Sequence, residues 1–149
     1  MQTKEGFLIF IRPSIPTDKP LLQKIFYDSR KAAFFWEDSA KYQLTDFDQS
    51  TQEELVLVAQ DQEKICGFIS LYLPENFIHN LFVAPEATGQ HIGKQLLTAG
   101  LARLERPARL KCVSKNQLAL AFYLKNGWEK EWETIAPENY WNLIYTKEK

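Results

Sequence analysis

The 149-residue chain has few cysteines, little glycine and almost no net charge. Its two cysteines, Cys66 and Cys112, lie far apart in apolar stretches without CxxC or metal-ligand spacing, which excludes a disulfide framework and indicates buried free thiols of a reducing compartment. Six glycines and seven prolines exclude a fibrous or linker-rich chain. A net charge of −1 provides no general attraction to nucleic acid or to an anionic membrane, so we expect neither as a partner.

Long hydrophobic runs are also missing. The run from Phe7 to Ile11 is too short for the core of a signal peptide, and no stretch approaches the roughly 18 apolar residues of a membrane span. We therefore expect a cytoplasmic protein. What the chain does contain is 45% hydrophobic and 13% aromatic residues, which is typical of a folded domain and predicts a single domain over residues 1–149.

The first third of the chain predicts one strand and two helices. A strand from Phe7 to Arg12 should stop before Pro13, because proline has no N–H to donate. Apolar residues at helical spacing predict two helices with indistinct boundaries between Asp18 and Trp36. Residues 37–54 are polar and acidic without clean periodicity, which predicts a surface loop with a short turn.

The rest of the chain predicts a mixed sheet. Apolar runs and turn residues predict strands at 55–59, 65–73, 77–83 and 109–113, helices at 91–105 and 116–125, and a closing hairpin of 128–134 and 140–146. This order predicts an α/β (α+β) fold with a mixed, mostly antiparallel sheet of about seven strands and four flanking helices.

The turn before the helix at 91–105 predicts an anion site. Residues 88–94 read Thr-Gly-Gln-His-Ile-Gly-Lys and lead a strand into a helix N-terminus, where free backbone N–H groups and the helix dipole favour a phosphate. The run lacks both the P-loop spacing and the GxGxxG dinucleotide fingerprint. An ordinary loop-to-helix turn explains two glycines equally well, so this turn alone leaves both interpretations open.

A second motif lies in the following helix, which reads N-x-x-A-x-x-F-Y-x-x-N-G-W from Asn116 to Trp128. Together with residues 88–94 and the preceding Leu-Phe-Val-Ala-Pro at 81–85, it resembles the GNAT superfamily of acyl-CoA-dependent N-acyltransferases. The resemblance in element order spans nearly the whole chain, and its specific motifs lie within residues 79–128. It implies a single-domain GNAT-like fold, acetyl-CoA as co-substrate, no metal, and acetyl transfer to a primary amine by direct attack on the thioester.

The resemblance also implies where acetyl-CoA binds. Backbone N–H groups of residues 89–94 would hold the phosphates, with Lys94 as a further donor. Thr88 stands where the family has glutamine or arginine, and His91 replaces a family glycine, so His91 is either a further donor or an exposed first-turn residue. Asn116 would hold the pantetheine arm or cap its helix. The residues expected at this site are Leu81, Phe82, Val83, Thr88, Gly89, Gln90, His91, Ile92, Gly93, Lys94, Asn116 and Phe122.

Tyr123 and His79 are the candidate catalytic residues. Spacing alone favours core packing for Tyr123, whereas the resemblance implies that it protonates the departing thiolate of CoA. His79 lies four residues before Val83, where similar acyltransferases carry a glutamate that acts as general base. Imidazole has a pKa near neutrality and suits the removal of a proton from an amine. A purely structural strand histidine is an equal alternative.

The acceptor is predicted only as a small-molecule amine or a protein amine. Phe35, Trp36 and Glu37 are candidates for binding it, with the acidic segment 37–54 drawing in a cation, although core aromatics beside a solvated turn are the alternative. The segment that would face CoA is rich in basic residues, namely Lys94, Arg103, Arg106, Arg109, Lys111 and Lys115. A non-catalytic acyl-CoA-binding or sensing domain is the alternative function. The closing hairpin offers an edge for a homodimer.

Overall fold

A computed structural model describes residues 9–149 and contains one seven-stranded sheet with the order β1-β2-β3-β4-β5-β7-β6. The strands are β1 (Ile9–Pro13), β2 (Leu55–Asp61), β3 (Lys64–Tyr72), β4 (Phe77–Val83), β5 (Ala108–Val113), β6 (Glu129–Thr134) and β7 (Tyr140–Tyr145). The helices are α1 (Lys19–Ala33), α2 (Asp46–Ser50), α3 (Ile92–Ala102) and α4 (Gln117–Lys125). Neighbouring strands are antiparallel except β4 and β5, which confirms the predicted mixed, mostly antiparallel sheet with four helices.

Helices α1 and α3 cover opposite faces of the sheet. On one face, Phe26 of α1 packs edge-on against Phe68 of β3, with ring centroids 6.1 Å apart. On the other face, a Cβ on Gly100 of α3 would lie 2.7 Å from Ile69 Cδ1, so this glycine lets α3 approach β3 closely. Adjacent strand residues point to opposite faces, which explains why Phe68 and Ile69, both fully buried, contact different helices.

The first strand extends one residue beyond its predicted C-terminal end. Phe7 and Leu8 lie outside the described residues, and the strand includes Pro13, which pairs with Leu57. Strand β1 forms an edge of the sheet, where the missing proline N–H costs no ladder hydrogen bond.

The prediction of two helices between Asp18 and Trp36 was wrong. A single helix, α1, covers this region and ends at Ala33, and the next α-helix lies within the segment predicted as a loop. There Phe47 of α2 is buried and packs edge-on against Phe26 of α1, with ring centroids 6.3 Å apart. One buried aromatic among acidic residues is too short a pattern to give a helical period, which is why the sequence did not reveal α2.

Helix α3 ends at Ala102, three residues before its predicted end, whereas α4 begins and ends as its motif predicts. The Asn116 side chain accepts a hydrogen bond from Ala119 N and caps α4, and Gly127 follows the helix with a left-handed φ of 96°. The final strand β7 inserts between β5 and β6, so β6 forms the second edge of the sheet. Within residues 9–149, none of the helices combines the length and apolar character that a membrane crossing requires.

Candidate functional site

The two parallel strands β4 and β5 separate soon after they meet. Their pairing consists of two residue pairs, the second of which joins Ile78 to Leu110. Beyond that pair, residues 79–83 and 111–113 diverge while each strand continues to pair with its outer neighbour. The facing strand edges therefore carry backbone donors and acceptors with no partner in the opposite strand, and a ligand laid between them can bind these groups.

Three connected cavities form a cleft along this gap. We name them the α3 cavity, of about 420 Å³, the central cavity, of about 520 Å³, and the His79 cavity, of about 230 Å³. The α3 and central cavities share Val83, Thr88 and Phe122, and the central and His79 cavities share Leu81, Phe82 and Asn116. Every residue expected at the acetyl-CoA site except Gln90 lines at least one of the three.

The α3 cavity has the features of an anion site. Helix α3 begins at Ile92. The first backbone N–H to donate a hydrogen bond at the start of this helix is that of Gln95, which donates to His91 O at 3.2 Å. The amides of residues 92–94 thus lack helical partners, and the dipole places partial positive charge beside them. Lys94 and Lys125, which each carry a side-chain ammonium group, line the same cavity. Backbone and side chains together favour a phosphate here.

Two residues at this turn depart from the family pattern, and the structure shows what each does. His91 has a φ of 61° and immediately precedes α3, so a histidine occupies a left-handed conformation that glycine adopts without steric cost. The Thr88 hydroxyl donates to Pro85 O at 3.2 Å and closes the preceding turn. Gly89 also has a positive φ, of 85°. These residues shape the turn, and the backbone N–H groups of residues 92–94 that follow it remain available to bind a phosphate.

The basic residues expected to face CoA are distributed differently. Only Lys94 of this set lines the α3 cavity, whereas Lys111 lines the His79 cavity. The Arg106 guanidinium donates to backbone carbonyls, and Arg109 pairs with Glu131 at 3.1 Å. The second cation of the α3 cavity, Lys125, was not identified from the sequence, because a lysine in the last turn of a helix is also typical of ordinary dipole stabilisation.

His79 is the extra residue of a β-bulge in β4. Asn80 pairs with Ser70 and Ile78 pairs with the next residue of β3, so His79 has no partner on that strand. A bulge of this kind redirects a side chain, and the His79 ring lines the cavity at this end of the cleft. The bulge also brings Asn80 into a buried polar contact, in which its Nδ2 donates to Ser70 Oγ at 2.9 Å.

The His79 ring is held by Glu54, a residue that no sequence motif singled out. The two side chains meet at 2.8 Å between His79 Nδ1 and Glu54 Oε2, and the Glu54 side chain is 8% exposed while that of His79 is 44% exposed. A carboxylate only accepts hydrogen bonds, so Nδ1 is the protonated nitrogen and Nε2 carries the lone pair. The hydrogen bond with Glu54 raises the pKa of His79 above its ordinary value, with a smaller contribution in the same direction from the Ser50 backbone, against the opposing effects of burial and of Lys111.

Tyr123 lines the same cavity from α4. The residue is 9% exposed, and its ring packs edge-on against Phe122 and Trp128. Burial, together with nearby Cys112, raises the pKa of the phenol, so its hydroxyl keeps its proton at neutral pH. Burial also raises the pKa of Cys112 to about 11, which keeps this thiol protonated and weakly nucleophilic. A phenol that holds its proton is suited to donate it.

The residues expected to bind the acceptor lie beside the cleft. Phe34 lines the His79 cavity, whereas its neighbour Phe35 is 81% exposed and Trp36 stacks on Phe34 with ring centroids 5.0 Å apart. The Glu37 carboxylate accepts a hydrogen bond from the Tyr42 hydroxyl. None of Phe35, Trp36 and Glu37 is among the residues that line the His79 cavity.

Several carboxylates of the acidic segment are engaged within the protein. Asp46 pairs with Arg30 at 3.1 Å, Asp38 accepts from the amide of Ala40, and Glu54 holds His79. Within the part of the chain that the structure describes, no three metal-ligating side chains are grouped closely enough to hold a metal ion.

Residues 21–128 match the model of a family described as the acetyltransferase (GNAT) family. The fold is shared with several solved structures. The GCN5-related N-acetyltransferase from Rhodopseudomonas palustris is 22% identical with a TM-score of 0.76, over 93% of this chain and 95% of that one. The PaiA N-acetyltransferase from Thermoplasma acidophilum, solved with coenzyme A, is 22% identical with a TM-score of 0.74, over 94% and 99%. The ribosomal-protein-S18-alanine N-acetyltransferase from Escherichia coli is 17% identical with a TM-score of 0.71, over 93% and 94%. No curated protein sequence gives a significant match.

Proposed function

The chain belongs to the acetyltransferase (GNAT) family, and from this premise we propose that it moves the acetyl group of acetyl-CoA to a primary amine, with His79 as general base and Tyr123 as general acid. The observation that carries the proposal is one continuous cleft with an anion site at one end and these two side chains at the other. Both ends are needed for an acyl-CoA to be held and its thioester to be attacked.

The residues of the cleft fit coenzyme A. Unpartnered amides at the start of α3, with Lys94 and Lys125 nearby, suit its phosphates. The central cavity is walled by apolar side chains, among them Leu81, Phe82 and Phe122, and runs beside the free edge of β4. An extended arm with amide groups can bind such an edge as an added strand. A related solved structure of the same fold contains coenzyme A, which supports this assignment.

The reaction needs two proton transfers, and the cleft provides a group for each. As the C–N bond to the acceptor forms, His79 Nε2 takes the proton released by the attacking nitrogen. As the C–S bond of the thioester breaks, the Tyr123 hydroxyl gives its proton to the sulfur. Glu54 is a positioning residue, since it fixes the His79 ring and its tautomer through the 2.8 Å contact with Nδ1. Neither step requires a metal.

An assay of thiol release with acetyl-CoA and a panel of amines tests the proposal. The expected result is free CoA that appears only when an amine is present, together with an amine that is heavier by one acetyl group in mass spectrometry. Calorimetric titration with acetyl-CoA should be run in parallel. Tight binding without amine-dependent release across the panel would contradict acetyl transfer and would support the acyl-CoA-sensing alternative.

A further inference from the structure

Lys111 lies beside His79 at the end of the cleft where an acceptor would enter. The last residue pair between β4 and β5 joins Ile78 to Leu110, so His79 and Lys111 are the first residues of each strand beyond the pairing. Both line the same cavity of about 230 Å³. Neighbouring paired strands lie roughly 4.8 Å apart, and here the strands have begun to diverge. The two side chains therefore face one small space from adjacent strands.

The charge of Lys111 has no acidic partner among residues 9–149, in which none of the ion pairs includes it. Its ammonium lies 5.1 Å from the centre of the Tyr140 ring, a contact that holds the side chain without neutralising it. The other cation of this cavity, Arg30, is paired with Asp46 at 3.1 Å. Lys111 thus supplies a positive charge that is free to bind an anion.

A proton acceptor lies in the same space. In the neutral His79 ring Nε2 is the acceptor, because Nδ1 contacts Glu54 Oε2 at 2.8 Å. Glu54 itself does not line the cavity. The cavity thus offers an acceptor for an amine at His79 and a positive charge for a carboxylate at Lys111.

We propose that the acceptor is a small amino acid, a molecule whose primary amine lies within a few bonds of a carboxylate, and that Lys111 binds this carboxylate while the amine lies beside His79. This assignment rests on the proposed acetyl transfer and adds its substrate class. It replaces the sequence-based expectation of a cationic acceptor, because the carboxylates Asp38, Asp46 and Glu54 of the acidic segment are already bound within the protein.

The test compares acceptors that are matched in size and differ in charge. Each common L-amino acid and β-alanine is assayed against its own amide, and 1,3-diaminopropane serves as a cationic analogue of β-alanine. An amide has the lower amine pKa and offers more neutral amine, so a preference for the free acid cannot come from reactivity. We expect at least one amino acid to exceed both its amide and the diamine about tenfold in kcat/KM.

Variants of Lys111 show whether this residue is responsible for the preference for an acceptor with a carboxylate. Lys111→Met should raise KM for the preferred amino acid about five- to twentyfold, with a much smaller change for its amide, and Lys111→Arg should restore most of the preference. Lys130→Met is the matched control, since Lys130 also stacks on an aromatic ring of β7, that of Trp141 at 4.3 Å, and lies outside the cavity. Equal use of acid and amide, or a preference for the diamine, would overturn the proposal.

A binding measurement separates this proposal from the proposed reaction. The protein loaded with CoA is titrated calorimetrically with the amino acids and with their amides. Amino-acid binding that Lys111→Met weakens supports the acceptor class even if no acetyl group is transferred. Turnover of other amines, with no amino acid bound or used, would confirm acetyl transfer and reject the role of Lys111.

Discussion

Gly93 and Phe122 face each other across the α3 cavity, where a Cβ built on Gly93 would lie 3.6 Å from Phe122 Cζ. This is an ordinary van der Waals distance, so the fold should accept Gly93→Ala. Alanine also favours the helix by roughly 0.5–1 kcal/mol over glycine, and we expect the melting temperature to stay the same or rise. The added methyl narrows the approach to the free amides, so calorimetry should show acetyl-CoA affinity reduced at least about tenfold.

The matched control for this variant is Gly89→Ala. Gly89 has a φ of 85°, so an L side chain is strained there by about 1–2 kcal/mol although its Cβ meets no atom within 4 Å. Gly89→Ala should therefore lower the melting temperature, which Gly93→Ala should not. If Gly93→Ala binds acetyl-CoA as tightly as the wild type, the phosphates do not bind at the start of α3.

Activity should depend on pH through His79. The base must be neutral to accept a proton, so kcat/KM should fall as pH decreases through the His79 pKa. Glu54 raises that pKa above its ordinary value of 6.5, and the acidic limb should accordingly have its midpoint above pH 6.5. His79→Ala should abolish this limb in a pH series of initial rates, and a variant that keeps the wild-type profile would exclude His79 as the base.

Glu54→Gln should move the same limb. Without the carboxylate, the pKa of His79 loses the largest contribution that raises it and should fall, although the Ser50 backbone still raises it, so the midpoint should shift to lower pH. We expect kcat/KM at the plateau to fall about tenfold as well, since the ring loses its fixed orientation. Glu53→Gln is the control, because the adjacent Glu53 is exposed. A reduced plateau with an unmoved midpoint would show that Glu54 acts only on stability.

Tyr123→Phe removes one hydroxyl from the wall of the His79 cavity. The ring should keep its contacts with Phe122 and Trp128, and the affinity for acetyl-CoA should be nearly unchanged. Because a positioned general acid contributes roughly 10²–10⁴-fold, kcat should fall within that range. Tyr145→Phe is a matched control, since Tyr145 also packs on Trp128 but lines none of the three cavities. If Tyr123→Phe keeps the wild-type kcat, Tyr123 is not the general acid and serves only in core packing.

Stability at acidic pH should depend on Asp18. Its carboxylate accepts two hydrogen bonds from Arg12, at 2.9 and 3.0 Å, and one from the amide of Ile15, at 2.8 Å, and the contact with Arg12 lowers the pKa of Asp18. The stabilisation is complete above the unfolded-state pKa of about 3.9 and is lost as pH falls through the lower folded value.

Asp18→Asn should therefore lower the free energy of unfolding at pH 7 by about 2–3 kcal/mol in urea titrations. The difference from the wild type should shrink below about pH 4, where the wild-type carboxyl starts to be protonated. A difference that stays constant down to pH 2 would contradict the role of this charge.

The sequence predicted those parts of the site that lie within continuous segments. Residues 88–94 were predicted to lead a strand into a helix N-terminus with free amides, because Gly89 and the residues around it lie between an apolar strand pattern and a helical one. Of the two roles expected for Asn116, the structure shows the cap of the helix that carries Tyr123, since an asparagine at this position satisfies a free amide. Such features depend on neighbours in the chain, and a local pattern is enough to find them.

The parts that the sequence did not predict depend on residues that meet only in the fold. Glu54 lies just before β2 and contacts His79 of β4, although β3 lies between these two strands, and no sequence spacing relates the two residues. The bulge that directs His79 into the cavity is a matter of register between β3 and β4. Lys111 belongs to a basic segment in the sequence, but the divergence of β4 and β5 separates it from Lys94 and places it beside His79.

The sheet is weakly connected between β4 and β5, because only two residue pairs join these strands. Strands β1 to β4 form one half and β5 to β7 the other. Because so few backbone hydrogen bonds join the two halves, local opening of the sheet should require the least free energy between β4 and β5. A molecule that binds in the gap can form hydrogen bonds with both strands and thereby stabilise the contact between the two halves of the sheet. Ligand occupancy should therefore slow amide hydrogen exchange in β5 more than in β2, which lies within an already continuous half.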